Sequence, residues 1–296
     1  MPAAPDQLHR FVFEHANVRG ELIHLDRTLQ EVLARHQYPG VIIRVLGEAL
    51  AAAGLLSSVL KFRGSLILQL QGEGTLPMLV ASATHEQELR AVARHTEDAA
   101  SIELDEPLNG MCKQGYLAIT IDPTDSDDRY QGIVPLEAER LGEAVETYFT
   151  QSEQLPTRVW LACDGQQAAG LLMQRLPGDA GEDADAWNRA EHLAATITEG
   201  ELLGLGPREI IGRLFHEEDI RLFEPEPVRF NCHCSRERVA AVLEGFGYEE
   251  AQGIVAEQGE IEAACEFCGA TYRFDAVDVE QLFSGGSIDP PDNTQH

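Results

Sequence analysis

The strongest constraint on this chain sits near its C-terminus, in two close-set cysteine pairs. Cys232-His233-Cys234 is followed, after thirty residues, by Cys265-Glu266-Phe267-Cys268, and these four are all but two of the six cysteines. Two tight turns can present four thiols to one point. Four thiolates match the closed tetrahedral shell that Zn²⁺ takes in structural sites. A closed shell leaves no position for water, so hydrolytic zinc chemistry is not expected. Adjacent thiols released from a metal can oxidise to disulfides, which makes a redox switch the alternative to a passive clip.

The surroundings of the pairs read as a small domain. Ser235 is placed to cap a helix to about Leu243, broken by Gly245 and Gly247. Tyr248 to Glu257 forms a second helix. Ile261 to Ala264 and Thr271 to Phe274 are expected strands flanking Cys265 to Gly269, which is a zinc-knuckle hairpin. A segment of about 60 residues with so little core needs metal to fold. A thioredoxin-like role for the C-x-x-C would need a helix after it, and a strand follows instead. His233 competes poorly with four thiols and is expected to face solvent. The tail after Ser284 is expected to be disordered.

At 296 residues the chain has room for about two domains and a sizeable core. Hydrophobic residues make up 44% and charged residues 24%, as in ordinary globular proteins. A net charge of −28 repels nucleic-acid phosphates and anionic membranes. The N-terminus shows no basic-then-apolar signal pattern. The longest apolar stretch, Val41 to Leu60, is broken by Arg44, Glu48, Gly54 and two serines, so no transmembrane helix is expected. A cytoplasmic location follows, where thiols stay reduced and paired cysteines favour metal or redox chemistry.

The first part alternates strands and helices. Strands are expected at Leu8 to Glu14, Val18 to Leu25, Ser65 to Gln71, Leu76 to Ala83, Tyr116 to Ile121, Tyr130 to Val134, Arg158 to Cys163 and Ala168 to Leu176. Asp26 should cap a helix over Arg27 to His36. Pro39-Gly40 opens a long helix, apolar on most sides, which should be the central helix. A further helix covers Glu137 to Thr150. Hairpins dominate, so the class is α+β: an N-terminal mixed α/β core domain, a helical linker and a small C-terminal zinc-binding domain. The boundaries are 1–177, 178–230 and 231–284, with 285–296 as tail.

The linker starts at an acidic break, Pro177 to Asp183. From Pro177 to Phe230 there are 13 acidic and 5 basic residues. Amphipathic helices fit Asp185 to Thr198 and Pro207 to Phe215, interrupted by Gly200, Gly204 and Gly206. With little core of its own, this segment should be ordered only by packing on its neighbours.

Other motifs read plainly. Gly72-Glu73-Gly74 lacks the lysine and helix of a phosphate loop and is a hairpin turn. Asp125 to Asp128 lacks the spaced ligands of a calcium loop. His216-Glu217-Glu218-Asp219 is an acidic helix end. Cys112 and Cys163 sit in apolar surroundings as inert thiols. No convincing catalytic set appears, so an enzyme is not expected.

Several stretches together resemble the heat-shock protein 33 family of redox-regulated holdase chaperones. They are VRGELIHL (Val18 to Leu25), the YPG step at Tyr38, LKFRGSLILQLQGEG (Leu60 to Gly74), GYLAITI (Gly115 to Ile121), RYQGIVPLE (Arg129 to Glu137), YFTQSEQLPTR (Tyr148 to Arg158), GELL (Gly200 to Leu203), RLFHEED (Arg213 to Asp219), FNCHCSRER (Phe230 to Arg238) and GEIEAACEFCGATYRF (Gly259 to Phe274). The resemblance covers almost the full length. One departure is Ala91, where the family usually has glycine, expected to alter a turn and to touch no switch residue.

The resemblance implies a stress-response chaperone. In the reduced form one Zn²⁺ per chain is held by Cys232, Cys234, Cys265 and Cys268. On oxidation the disulfides are Cys232–Cys234 and Cys265–Cys268, and zinc leaves. The linker then unfolds, and the protein dimerises and binds unfolding clients without ATP, passing them to ATP-dependent foldases. The linker's apolar faces, Leu193, Ile197, Leu202, Leu203, Ile210, Ile211, Leu214 and Phe215, would become available to clients. The rivals from other classes are a zinc-ribbon module binding nucleic acid or protein, disfavoured by the charge, and a thiol-disulfide oxidoreductase that would not need zinc.

Overall fold

The computed structural model describes residues 6–126, 128–177, 183 and 185–284. The chain divides into two compact units, 1–231 and 232–296. The first unit runs β1 (Gln7–Phe13), β2 (Val18–Leu25), α1 (Arg27–Leu33), α2 (Gly40–Val59), β3 (Gly64–Glu73), β4 (Met78–Thr84), β5 (Glu88–Arg94), α3 (Leu108–Met111), β6 (Lys113–Pro123), β7 (Tyr130–Pro135), α4 (Leu141–Tyr148), β8 (Thr157–Cys163) and β9 (Ala168–Arg175). It continues with α5 (Ala186–Ala194), α6 (Glu199–Gly204), α7 (Pro207–Leu214), β10 (Ile220–Leu222), β11 (Glu226–Pro227) and β12 (Arg229–Phe230). The second unit holds α8 (Arg236–Phe246), α9 (Tyr248–Gln258), β13 (Ile261–Ala264), β14 (Thr271–Phe274) and α10 (Ala276–Ser284).

The fold is α+β, as the hairpin-rich pattern implies. One six-stranded sheet has the order β10-β1-β2-β9-β8, with β11 also on β1; the other runs β12-β5-β4-β3-β6-β7. All ladders are antiparallel except β12 on β5. Helix α2 is buried along most of its length because both sheets pack on it. It is long and apolar enough to cross a membrane by length and composition, yet 83% of that window is buried inside the protein. In β3 the alternation works as expected: Leu66, Leu68 and Leu70 are fully buried, and the residues between them are more exposed.

The first sheet is buried on both faces. Leu8, Ile23, Leu25 and Leu172 join α2. On the opposite face, Phe11, Phe13, Val18, Leu22, Leu171 and Met173 are covered by α5, α6 and α7. Two covered faces explain why β9 reads as a nearly continuous apolar run rather than an alternating one. Phe11 lies opposite Gly20 in the ladder, and a Cβ at Gly20 would come within 2.1 Å of its ring. Only glycine leaves that ring room to lie flat on the sheet.

Several local expectations are corrected. The side chain of Asp26 does not cap α1. The Asp6 carboxylate does so, accepting from the amides of Asp26 (2.7 Å), Arg27 (3.2 Å) and Thr28 (2.5 Å). The pairing of β1 with β2 brings Asp6 there, a long-range effect. Ala91 lies mid-strand in β5, opposite Ala81, and is fully buried, so no turn is affected. Helix α6 forms despite Gly200 and Gly204, because Thr198 and Glu201 make a reciprocal capping box. Helix α8 continues through Gly245 and stops at Gly247, where φ is +90°. Helix α10 follows β14, and the expected disordered tail lies outside the described residues.

Candidate metal centre

The second unit is built on a slight core: Leu243, Ala251, Ile261, Phe274 and Val279 are buried, with partly exposed side chains around them. Its hairpin pairs Ile261 with Phe274 and Ala264 with Thr271, so Cys265 and Cys268 fall in the connecting turn. The turn closes through Gly269 N to Cys265 O at 2.8 Å and Cys265 N to Ala270 O at 2.8 Å. Gly269 has φ +72°, a left-handed conformation that side chains disfavour. Cys232 and Cys234 lie just before α8, whose first turn is capped by the Ser235 hydroxyl accepting from Arg238 N at 3.3 Å. Arg238 also donates to the His233 carbonyl at 2.6 Å, which fixes the C-x-C turn.

These two turns bring all four sulfurs within 4.8 Å of one another. Cys232 Sγ is 3.7 Å from Cys265 Sγ, and Cys234 Sγ is 3.3 Å from Cys268 Sγ. A tetrahedral Zn²⁺ with bonds of about 2.3 Å spaces its sulfurs by about 3.8 Å. The residues therefore fit such an ion in number, type and spacing. Among the described residues no other group of three or more histidine, cysteine or acidic side chains gathers so tightly. Burial pushes the Cys265 thiol up and holds Cys268 at about 12. A bound cation reverses that balance, since it binds the thiolate and displaces the proton. The Tyr272 hydroxyl donates to Cys234 Sγ at 3.2 Å, a partner outside the ligand set that the sequence reading did not pick out.

The remaining candidates fall elsewhere. Leu202, Ile210, Leu214 and Phe215 are buried against the outer face of the first sheet, and Leu193, Ile197, Leu203 and Ile211 pack partly buried beside them. All eight thus join one apolar cluster, in the unit that lacks the four clustered cysteines. Cys112 and Cys163 are raised to about 11 by burial, consistent with inert thiols. Glu218 of the acidic run is committed to Arg189 at 2.5 Å. Gly74 sits at φ +113° in a plain turn. In the Asp125 to Asp128 run, Asp127 lies outside the described residues.

Comparison with known proteins agrees with this arrangement. A family model described as Hsp33 protein matches residues 6–275. The chain is 51% identical over 291 residues to the 33 kDa chaperonin of Nitrosococcus oceani, covering 98% of this chain and 99% of that protein. It is 47% identical over 296 residues to the 33 kDa chaperonin of Pseudomonas fluorescens, covering 98% of each. A crystal structure of a 33 kDa chaperonin (heat shock protein 33 homolog) from Thermotoga maritima superimposes with a TM-score of 0.78, covering 95% of this chain and 98% of that one. Identity there is 23%, so this likeness speaks for the fold.

Proposed function

The chain belongs to the Hsp33 family of chaperones, and from that premise we propose that it is a redox-regulated, ATP-independent holdase that binds unfolding proteins under oxidative and heat stress. The observation that carries the reading is the gathering of four sulfurs in a unit with so slight a core. In the reduced, inactive form Cys232, Cys234, Cys265 and Cys268 hold one Zn²⁺. When bound, the ion neutralises the thiolates and cross-links the two turns that carry them.

A peroxide is a sufficient oxidant. Two thiolates give two electrons to one peroxide, whose O–O bond breaks and takes up protons to leave as water. Two such events form Cys232–Cys234 and Cys265–Cys268, the pairing that the family resemblance implies. No metal ligand is then left. Structural zinc contributes about 10–16 kcal/mol in small thiolate domains, and whole domains have a net stability of about 5–15 kcal/mol. A core of this size cannot replace that contribution, so the unit unfolds. The 178–230 linker then loosens. Its eight apolar side chains and the sheet face beneath them become a client surface.

The oxidised protein dimerises through the 1–177 core domain and hands clients to ATP-dependent foldases. It acts by binding rather than turnover, in the cytoplasm, where thiols are reduced at rest. The net charge of −28 keeps the exposed form soluble. The test is aggregation of a heat-denatured client with the protein first reduced, then treated with peroxide and mild warming. Protection should appear only after oxidation, with one zinc released per four thiols lost. Equal protection in both states would refute the switch.

A further inference from the structure

A cavity of about 370 Å³ lies in the first unit between α4, β8 and the linker, with Glu48 of α2 among its lining residues. Val159, Trp160, Leu161, Ile197 and Leu202 supply apolar wall. Glu48 is only 8% exposed. Its Oε1 meets Arg44 at 3.4 Å, and its Oε2 has no hydrogen-bond donor among the described residues.

The other carboxylates of the lining are committed elsewhere. Glu143 accepts from the amides of Glu139 (3.2 Å) and Arg140 (3.4 Å). Glu146 accepts from the Val159 amide (2.8 Å) and from Arg158 (2.9 Å). Glu199 pairs with Arg140 at 2.9 Å. Glu48 is therefore the most buried carboxylate of the lining and keeps one oxygen without a donor, in a cavity whose wall is part apolar and part acidic. Burial holds Glu48 at about 7, with Arg44 and Arg140 opposing the rise and Glu199 adding to it; α4 adds Glu143 and Glu146, and β8 ends in Cys163.

We propose that this cavity binds a small organic cation, a protonated primary amine on an apolar body. The ammonium donates to Glu48 Oε2, and the alkyl part lies against the apolar wall. Four carboxylates against one arginine in the lining repel an anion. A metal ion would want several oxygens gathered at one point, and among the described residues these carboxylates do not gather in that way. A neutral donor cannot balance the carboxylate's charge.

Ile197, Thr198, Glu199 and Leu202 of the lining belong to the linker. An occupied cavity therefore holds α6 against the core and raises the threshold for its release, by linkage. That consequence rests on the linker release proposed above; the binding itself does not.

The test is calorimetric titration of the reduced, zinc-loaded full chain with n-hexylammonium, in enough salt to screen the surface charge, with 1-hexanol as the neutral control. Saturable one-to-one binding is expected, weaker by at least about tenfold in Glu48→Gln. Hexanol should not saturate. Equal affinity in the variant, equal binding of hexanol, or no saturation overturns the site. Should the variant not fold, a pH series on the unaltered protein decides. Affinity must weaken as pH falls through about 7, where Glu48 takes up a proton, and a flat profile overturns the assignment. Hydrogen exchange of residues 199–204 must slow on binding; unchanged exchange with intact binding overturns the linker consequence alone.

Discussion

Replacing Phe215 with alanine should release the linker without oxidation. Phe215 follows α7, is 2% exposed, and packs edge-on to Phe13 with ring centroids 5.3 Å apart and 6.0 Å from Phe11. Truncating a buried phenylalanine costs about 3–5 kcal/mol. If α5, α6 and α7 form a layer that opens separately from the sheet, the whole cost falls on docking. At about 1.4 kcal/mol per tenfold, the open population rises about a hundredfold to several thousandfold. Native-state hydrogen exchange measures this directly. Amides of α5 to α7 should exchange faster by that factor in Phe215→Ala, and amides of β2 and β9 should keep their protection. The reduced variant should also protect a client from aggregation. Loss of protection in β2 and β9 to the same degree would refute the separable layer. Unchanged exchange throughout would show that Phe215 anchors nothing.

Three further outcomes follow from other contacts. Tyr272→Phe removes the hydroxyl that donates to Cys234 Sγ, and zinc affinity by chelator competition should fall about 10- to 100-fold; an unchanged affinity would refute a tuning role. Asp6→Ala strips three amides of their shared acceptor, and should lower unfolding stability by about 1–2 kcal/mol, seen as a lower urea midpoint at constant slope. Glu21 is 2% exposed with Oε2 unpartnered, and burial lifts it to about 7 against the opposing pull of Ser58, Arg10 and Arg19. Its folded-state value lies above the unfolded one, so its contribution is full below about pH 4.5 and is lost as pH rises through about 7. The loss is about 3 kcal/mol. Glu21→Gln should flatten that part of the stability profile, leaving a similar slope from Glu48; an unaltered profile would contradict the shift.

The two cysteine pairs could be read from the sequence because each is local, and β13 and β14 bracket Cys265 and Cys268 at the expected residues. Helix α2 and β3 were equally legible, since burial imprinted long apolar periodicities on them. Strand β5 was not, because ELRAVAR buries Glu88, Leu89, Ala91, Val92 and Ala93 without alternation, and its neighbours decide its state. Strands β10, β11 and β12 are two or three residues long, and exist only through pairing with β1 and β5. The Asp6 cap depends on a partner some twenty residues away. Tyr272 was visible as a strand residue, but its hydroxyl's approach to Cys234 depends on how the hairpin meets the C-x-C turn.

The second sheet ends on β7, a strand of six residues closed by Pro135 and preceded by Asp128 and Arg129. Tyr130 and Ile133 on it are 44% and 56% exposed. A protein that spends its working life among chains seeking strand partners risks being templated into their aggregates at such an edge. A short ladder that ends in a residue without an amide hydrogen, beside charge, limits how far an incoming strand can zip. The border of this sheet thus offers an incoming strand few positions to pair with.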